Sequence, residues 1–267
     1  MLKTLVSGAA LTLSLSLVPA ASVLAQAQPF KAVEQTREWT IDVGGGMVQG
    51  FSPAGKDPNK TRFTPWASAN WKGRVYANGL DGLGVNTFKR DDFNAGFQLR
   101  PRYSGQSDLE GLDLPGRGVD LATYAYKRIG DNTVIGGRIG SDISDESRGM
   151  DFFASVARQD ITRVGLLQSM IYVRGGDKNT NQAFYGVDAR EAAATGLEAY
   201  DLGGGIQSTG LVFMMMTPIG DKYGVGTFVN VERALGDVAD SPLIERRKHG
   251  ETAYRGGFVV VRRFHSQ

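Results

Sequence analysis

The sequence predicts an all-β fold: a single antiparallel transmembrane β-barrel of about twelve strands, with short turns at one end and long loops at the other. Three observations predict it. Met1–Ala27 reads as a secretory signal, with one cation (Lys3), an apolar stretch from Leu5 to Leu24 and Ala25-Gln26-Ala27 as a small-x-small cleavage site. Alternating apolar and polar residues then recur in segments long enough to cross a bilayer, which takes about 9–11 residues per strand. The chain closes on Tyr254-Arg-Gly-Gly-Phe-Val-Val-Val-Arg-Arg-Phe264, an aromatic strand almost at the C-terminus. Such a strand suits recognition by the barrel-assembly machinery, with Tyr254, Gly256, Phe258 and Phe264 as the signal.

The signal occupies residues 1–27 and the barrel residues 28–267. Pro19 and several small residues break the apolar stretch, which argues against an uncleaved membrane anchor, since that takes about 20 unbroken apolar residues. Val23-Leu24-Ala25 is a second candidate cleavage site. No later run is apolar enough for a membrane helix, so crossing the bilayer requires a closed barrel in which every backbone N–H and C=O is paired internally.

Composition bounds the partners. A formal charge of +2 over 267 residues gives no basic surface for nucleic acid. The absence of cysteine excludes disulfides, thiolate metal sites and a lipid-anchored form of export. The 36 glycines, about twice the ordinary ~7 %, sit inside alternating segments, where they suit the bends and close approaches of a curved sheet.

The elements follow in order. Trp39, Ile41, Val43, Met47 and Phe51 oppose Thr40, Asp42, Gly44 and Gly46; Phe63, Pro65, Ala67, Ala69 and Trp71 oppose Arg62, Thr64, Ser68 and Asn70. A compact hairpin around Gly79–Gly84 keeps turns and loops in strict alternation; treating that region differently gives ten strands instead. Phe93, Ala95, Phe97, Leu99 and Pro101 oppose Asn94, Gly96, Gln98, Arg100 and Arg102. Val164–Arg174 and Leu211–Thr217 alternate weakly, and Phe213-Met-Met-Met216 is apolar on both faces. It either fills the lumen or is a poorly alternating strand. Tyr223, Val225, Val229 and Val231 oppose Lys222, Gly224, Asn230 and Glu232. Short joints fall at Lys72-Gly73, Lys89-Arg90-Asp91, Gly130-Asp131, Gln159-Asp160 and Gly220-Asp221. Long loops fall at about 52–60, 104–118, 142–150, 175–205 and 236–251, which sets both termini and the short turns in the periplasm. A soluble sandwich also alternates, but with shorter strands.

The polar faces give the candidate lumen lining: Asn94, Gln98, Arg100, Arg102, Arg138, Lys222, Asn230 and Glu232, with Asp120 and Arg128. Rings of Arg favour anions in an open pore. The same charges can also pair across a narrow barrel and plug it, and both outcomes stand at this stage. No catalytic constellation emerges, because the two histidines, His249 and His265, fall at opposite ends of the barrel without a partnered nucleophile. No cofactor is expected. Asp142, Asp145 and Glu146 lack the ligand spacing of a calcium loop and read as a solvated acidic loop.

Residues 184–242 carry a further signal. Asp188, Glu191 and Gly196 frame a short helix with a capping box at its start and a glycine at its end, and Ala192–Ala194 favour it. So short a helix must pack on the loop itself or on the barrel wall. Phe184-Tyr-Gly-Val, Gly196-Leu-Glu-Ala-Tyr-Asp201 and Leu235-Gly-Asp-Val-Ala-Asp-Ser-Pro242 resemble motifs of the MltA-interacting protein/OmpV family. Gly236-Asp-Val stands where the family more commonly has Gly-Asp-Ala, and three residues follow Phe264. The resemblance implies an outer-membrane protein that is not an enzyme and that scaffolds a murein hydrolase and a murein synthase; a small-solute channel is the alternative. The expected surroundings are outer-membrane lipid and the barrel-assembly machinery, with periplasmic murein enzymes as partners and no nucleic acid.

Overall fold

Twelve antiparallel strands close into a barrel in the computed structural model, which describes residues 38–50, 61–79, 81–102, 109–247 and 250–266. The expected signal at residues 1–27 lies outside the described residues. The strands are β1 (Trp39–Gly50), β2 (Thr61–Trp71), β3 (Val75–Asn78), β4 (Gly82–Lys89), β5 (Phe93–Arg102) and β6 (Gly118–Ile129). The second half comprises β7 (Thr133–Asp142), β8 (Met150–Ile161), β9 (Leu166–Gly176), β10 (Gly205–Ile219), β11 (Tyr223–Ala234) and β12 (Thr252–His265). Each strand pairs with its sequence neighbours, and β12 closes on β1 with Phe264 opposite Ile41 and Phe258 opposite Met47.

The closure explains two glycines. A Cβ on Gly44 or Gly46 would collide with the carbonyl oxygens of Val260 or Phe258 on β12, so only glycine lets the two strands meet at this curvature. The compact hairpin around Gly79–Gly84 is present as β3 and β4, and twelve strands rather than ten result. The joint expected at Gln159-Asp160 lies later: β8 runs on to Ile161, and the turn is Thr162–Gly165, closed by the Thr162 N–H donating to the Gly165 carbonyl at 2.8 Å. Gly165, at φ 149°, supplies the turn conformation that Gln159 and Asp160 cannot.

The outer face is apolar and exposed, at Ile41, Val43, Leu99, Leu121, Ile139, Ile171 and Val229 among others. Trp39, Trp71, Phe88, Tyr223 and Phe264 gather toward the short-turn end, and Phe63, Phe152 and Tyr254 toward the other, the two-girdle pattern of a membrane barrel. The doubtful segments are both strands. Phe213 faces outward, whereas Val212 and Met214 are buried inside, and Val212 packs in a cluster with Phe153, Ala157, Met170 and Tyr172. Alternation fades there because the inner face is packed rather than wet.

The loop end carries three short helices: α1 (Lys178–Tyr185), α2 (Ala189–Thr195) and α3 (Pro242–Glu245), with a 3-10 turn at Gly236–Val238. The capping box at Asp188 and Glu191 is present, and Gly196 ends α2 in the left-handed region at φ 74°.

Candidate functional site

Three strands bring the basic residues of the lumen together. β5 presents Gln98, Arg100 and Arg102, β6 presents Asp120 and β7 presents Arg138 and Asp142, and all but Asp142 rank among the buried polar residues. Asp151, from the start of β8, completes the layer. Arg102 Nε lies 2.6 Å from Asp120 Oδ1, and Arg100 lies 3.6 Å from both Asp120 and Asp151. Arg138 lies 3.1 Å from Asp151, and Arg102 lies 3.8 Å from Asp142 and bonds the Ser147 hydroxyl. Each of the three guanidinium groups therefore has at least one carboxylate beside it. Buried cations demand such compensation, because removing a charge from water is costly unless it is paired and hydrogen-bonded.

A second network crosses from β9 to β12. The Tyr172 hydroxyl donates to Glu232 at 2.7 Å, Asn230 donates to that hydroxyl at 3.1 Å, and Arg255 approaches Glu232 at 3.4 Å. On the opposite wall Tyr76, Tyr124 and Tyr126 pack with tilted rings at centre distances of 6.3 and 6.0 Å, with Tyr76 donating to Gln98 and Tyr124 to Asn86. Side chains of β3 to β8 on one wall and of β9 to β12 on the other are thus buried inside the barrel.

The expected lining falls into two groups. Gln98, Arg100, Arg102, Arg138, Asn230 and Glu232 join these networks, and Asn94 is half-buried on the same inner face of β5. Lys222 does not line the depth of the lumen. It is exposed in the joint before β11, where its carbonyl accepts from Arg263 at 2.7 Å. Tyr254, Phe258 and Phe264 face outward and exposed, as membrane-facing positions of β12 require, and Arg262 lies over the Phe264 ring at 4.9 Å. Phe264→Ala should lower the yield of inserted barrel and leave the chain to periplasmic proteases; normal membrane yield would place the assembly signal elsewhere in β12.

Above the charged layer sits a folded cap. Leu202, Ala234, Val238 and Ile244 form its core, with Tyr185, Tyr200 and Ala239 packed against them. Ser241 donates to the Tyr185 carbonyl at 2.6 Å, joining the β11–β12 loop to α1. Gln207 donates to Asn181 and Asn181 to the Gly203 carbonyl, which ties α1 to β10. Glu191 of α2 accepts from the Asp113 N–H at 2.8 Å, drawing in the β5–β6 loop. Phe184 of α1 lies 5.7 Å from the Arg102 guanidinium, where cap and charged layer meet. Arg247, in the β11–β12 loop, is pushed down to about 10 by burial, opposed by the nearby Tyr185 and Glu232.

The acidic loop residues separate. Asp142 turns inward and accepts from Ser144, Ser147 and the Arg148 N–H, Asp145 pairs with Arg148, and Glu146 accepts from the Gly116 N–H. No group of three or more potential metal ligands occurs among the described residues. His265 lies at the end of β12, and His249 falls outside the described residues.

Sequence reasoning missed Asp151, Tyr172, Arg255 and Phe184 as contributors. Inward parity marks the first three, but only the register between strands shows whom each one meets.

The family model described as MltA-interacting protein MipA matches residues 43–264. No curated protein matches the chain. Among solved structures, a chain titled bacterial polysaccharide outer membrane secretin is similar over 86% of this chain and 99% of its own, at 9% identity and a TM-score of 0.44.

Proposed function

We propose, from the premise that the chain belongs to the MltA-interacting protein MipA family, that it is a closed outer-membrane barrel that docks periplasmic murein enzymes rather than passing solutes. One observation carries this reading. The layer of Arg100, Arg102 and Arg138 with Asp120, Asp142 and Asp151 lies ion-paired and buried inside the barrel beneath a folded cap. An anion-selective pore needs uncompensated cations along its path, and each of these cations is buried beside a carboxylate. The family is named for a protein that interacts with MltA, and this supports a murein hydrolase as one partner, with a murein synthase as the other side of the scaffold. Nothing in this role calls for catalysis by the barrel.

Two measurements on the refolded protein test the reading. In planar bilayers it should show no stepwise conductance, and immobilised barrel should retain a purified periplasmic murein hydrolase. Steady anion-selective steps would reverse the assignment toward a channel. Failure to retain either class of murein enzyme would remove the scaffold role while leaving the closed barrel intact.

A further inference from the structure

The lumen changes character along its axis. Asn230 is buried and Val229 exposed, so the even-numbered residues of β11 face inward; by the same parity the even residues of β9 and β10 and the odd residues of β12 do so too. Toward the short turns these inward sets turn apolar or bare: Leu166 on β9, Met216 on β10, Gly224, Gly226 and Phe228 on β11, Val259 and Val261 on β12. Register sets them side by side. Met216 lies between Leu166 and Gly226, Gly226 lies opposite Val259, and Gly224 opposite Val261. Met216 is 41% exposed although it faces inward, and both valines are only half-buried.

The two glycines of β11 are not required by the backbone. Neither has a positive φ, and a Cβ on Gly224 would stand 3.5 Å from Val261 Cγ2, one on Gly226 3.2 Å from Val259 Cγ2. Gly44 and Gly46 differ, since a Cβ there strikes the β12 backbone. A strand glycine with no such reason marks a place that a ligand approaches closely. Here the pair floors a groove along β11, with Leu166 and Met216 as one wall and Val259 and Val261 as the other. The groove ends inward on polar atoms. Phe228 lies opposite Met214 and Met214 opposite Gln168, and Asn230 is the next inward residue of β11. Gln168 and Asn230 are 1% and 0% exposed. Gln168 Oε1 accepts from Gln159 at 3.0 Å and Asn230 Nδ2 donates to the Tyr172 hydroxyl at 3.1 Å, but Gln168 Nε2 and Asn230 Oδ1 meet no partner among the described residues. One is a donor and the other an acceptor, and each is costly to bury unless something answers it.

We propose that this groove binds a single-chain amphiphile, its polar end at Gln168 and Asn230 and its hydrocarbon chain over Gly226 and Gly224 toward the short-turn mouth. An uncharged head that both accepts and donates, a hydroxyl or a protonated carboxyl, matches the two orphan atoms. From Phe228 back to Lys222 the groove runs ~20 Å at ~3.3 Å per strand residue, which accommodates a chain of medium length. The layer of Arg100, Arg102 and Arg138 takes no part. The seat goes beyond the docking of murein enzymes and does not depend on it.

The absence of cysteine makes the test clean. Met216→Cys in the mature protein, held in phosphatidylcholine nanodiscs, should react readily with a water-soluble maleimide. Adding 1-dodecanol should slow the reaction roughly ten-fold, since labelling follows the population of the open form. Gly224→Leu, whose side chain fills the floor, should abolish that protection while the compact gel band survives. Gln168→Leu should weaken protection by 1-dodecanol and leave unchanged the smaller protection given by tetradecane, which has no polar end. Asp131→Cys, exposed in the β6–β7 joint, should label at one rate throughout and controls for effects on the bilayer. Equal rates for Met216→Cys with and without 1-dodecanol overturn the proposal: if both are fast the groove holds no chain, and if both are slow it is already covered. Protection that survives Gly224→Leu also overturns it, because the chain then lies elsewhere.

Discussion

Asp120→Ala should destabilise the barrel by about 3–5 kcal/mol, the cost of removing one partner from a buried ion pair. Asp120 lies 2.6 Å from Arg102 and 3.6 Å from Arg100, and all three side chains are at most 7% exposed. Its loss leaves Arg102 facing Asp142 at 3.8 Å, and leaves Arg100 sharing Asp151 with Arg138. Two guanidinium groups would then depend on carboxylates already engaged elsewhere. Asp120→Asn should cost less, because the amide oxygen still accepts from Arg102. The urea midpoint at which the compact, unheated gel band is lost measures the difference. An unchanged midpoint for Asp120→Ala would mean that water reaches the layer and screens it, which would also undercut the closed-lumen reading.

The wall of this barrel was legible because lipid imposes a rule on every strand: apolar residues outward at period two, from Trp39 to Phe264. Inside, no single rule holds. The lumen is polar at Arg100 and Asp120, aromatic at Tyr124 and Tyr126 and apolar at Val212 and Met214, so alternation weakened where packing replaced water. Pairing was out of reach for a different reason. Arg138 meets Asp151 thirteen positions away, and Tyr172 meets Glu232 sixty positions away, and only the closed register fixes those meetings. The helix at Asp188–Gly196 was readable because its caps are local in sequence. Its destination was not, since the cap core is assembled from the β9–β10 loop, the end of β11 and the β11–β12 loop together.

That separation between wall and cap has a consequence. Ile244 is fully buried at the centre of the cap core, against Leu202, Ala234 and Val238. Ile244→Ala should cost about 2–5 kcal/mol through lost burial and an unfilled cavity. The cap is small and joined to the wall at Ala234, the last residue of β11, and by hydrogen bonds such as Gln207 to Asn181 and Thr180 to the Met150 carbonyl. It should therefore open locally while the strand ladder holds, as weakly packed units of a protein do. A protease added from outside should then cut within residues 178–203 faster than it does in the parent protein, while the compact gel band survives. Glu245→Ala, one residue on and exposed, serves as the control and should leave the digestion pattern unchanged. Simultaneous loss of the compact band would show that cap and wall unfold as one unit. Conductance should stay absent even in the opened variant, because the Arg100, Arg102 and Arg138 layer lies below the cap and its carboxylate partners Asp120, Asp142 and Asp151 all sit on wall strands. Ion flow through Ile244→Ala would identify the cap, and not the ion-paired layer, as the seal.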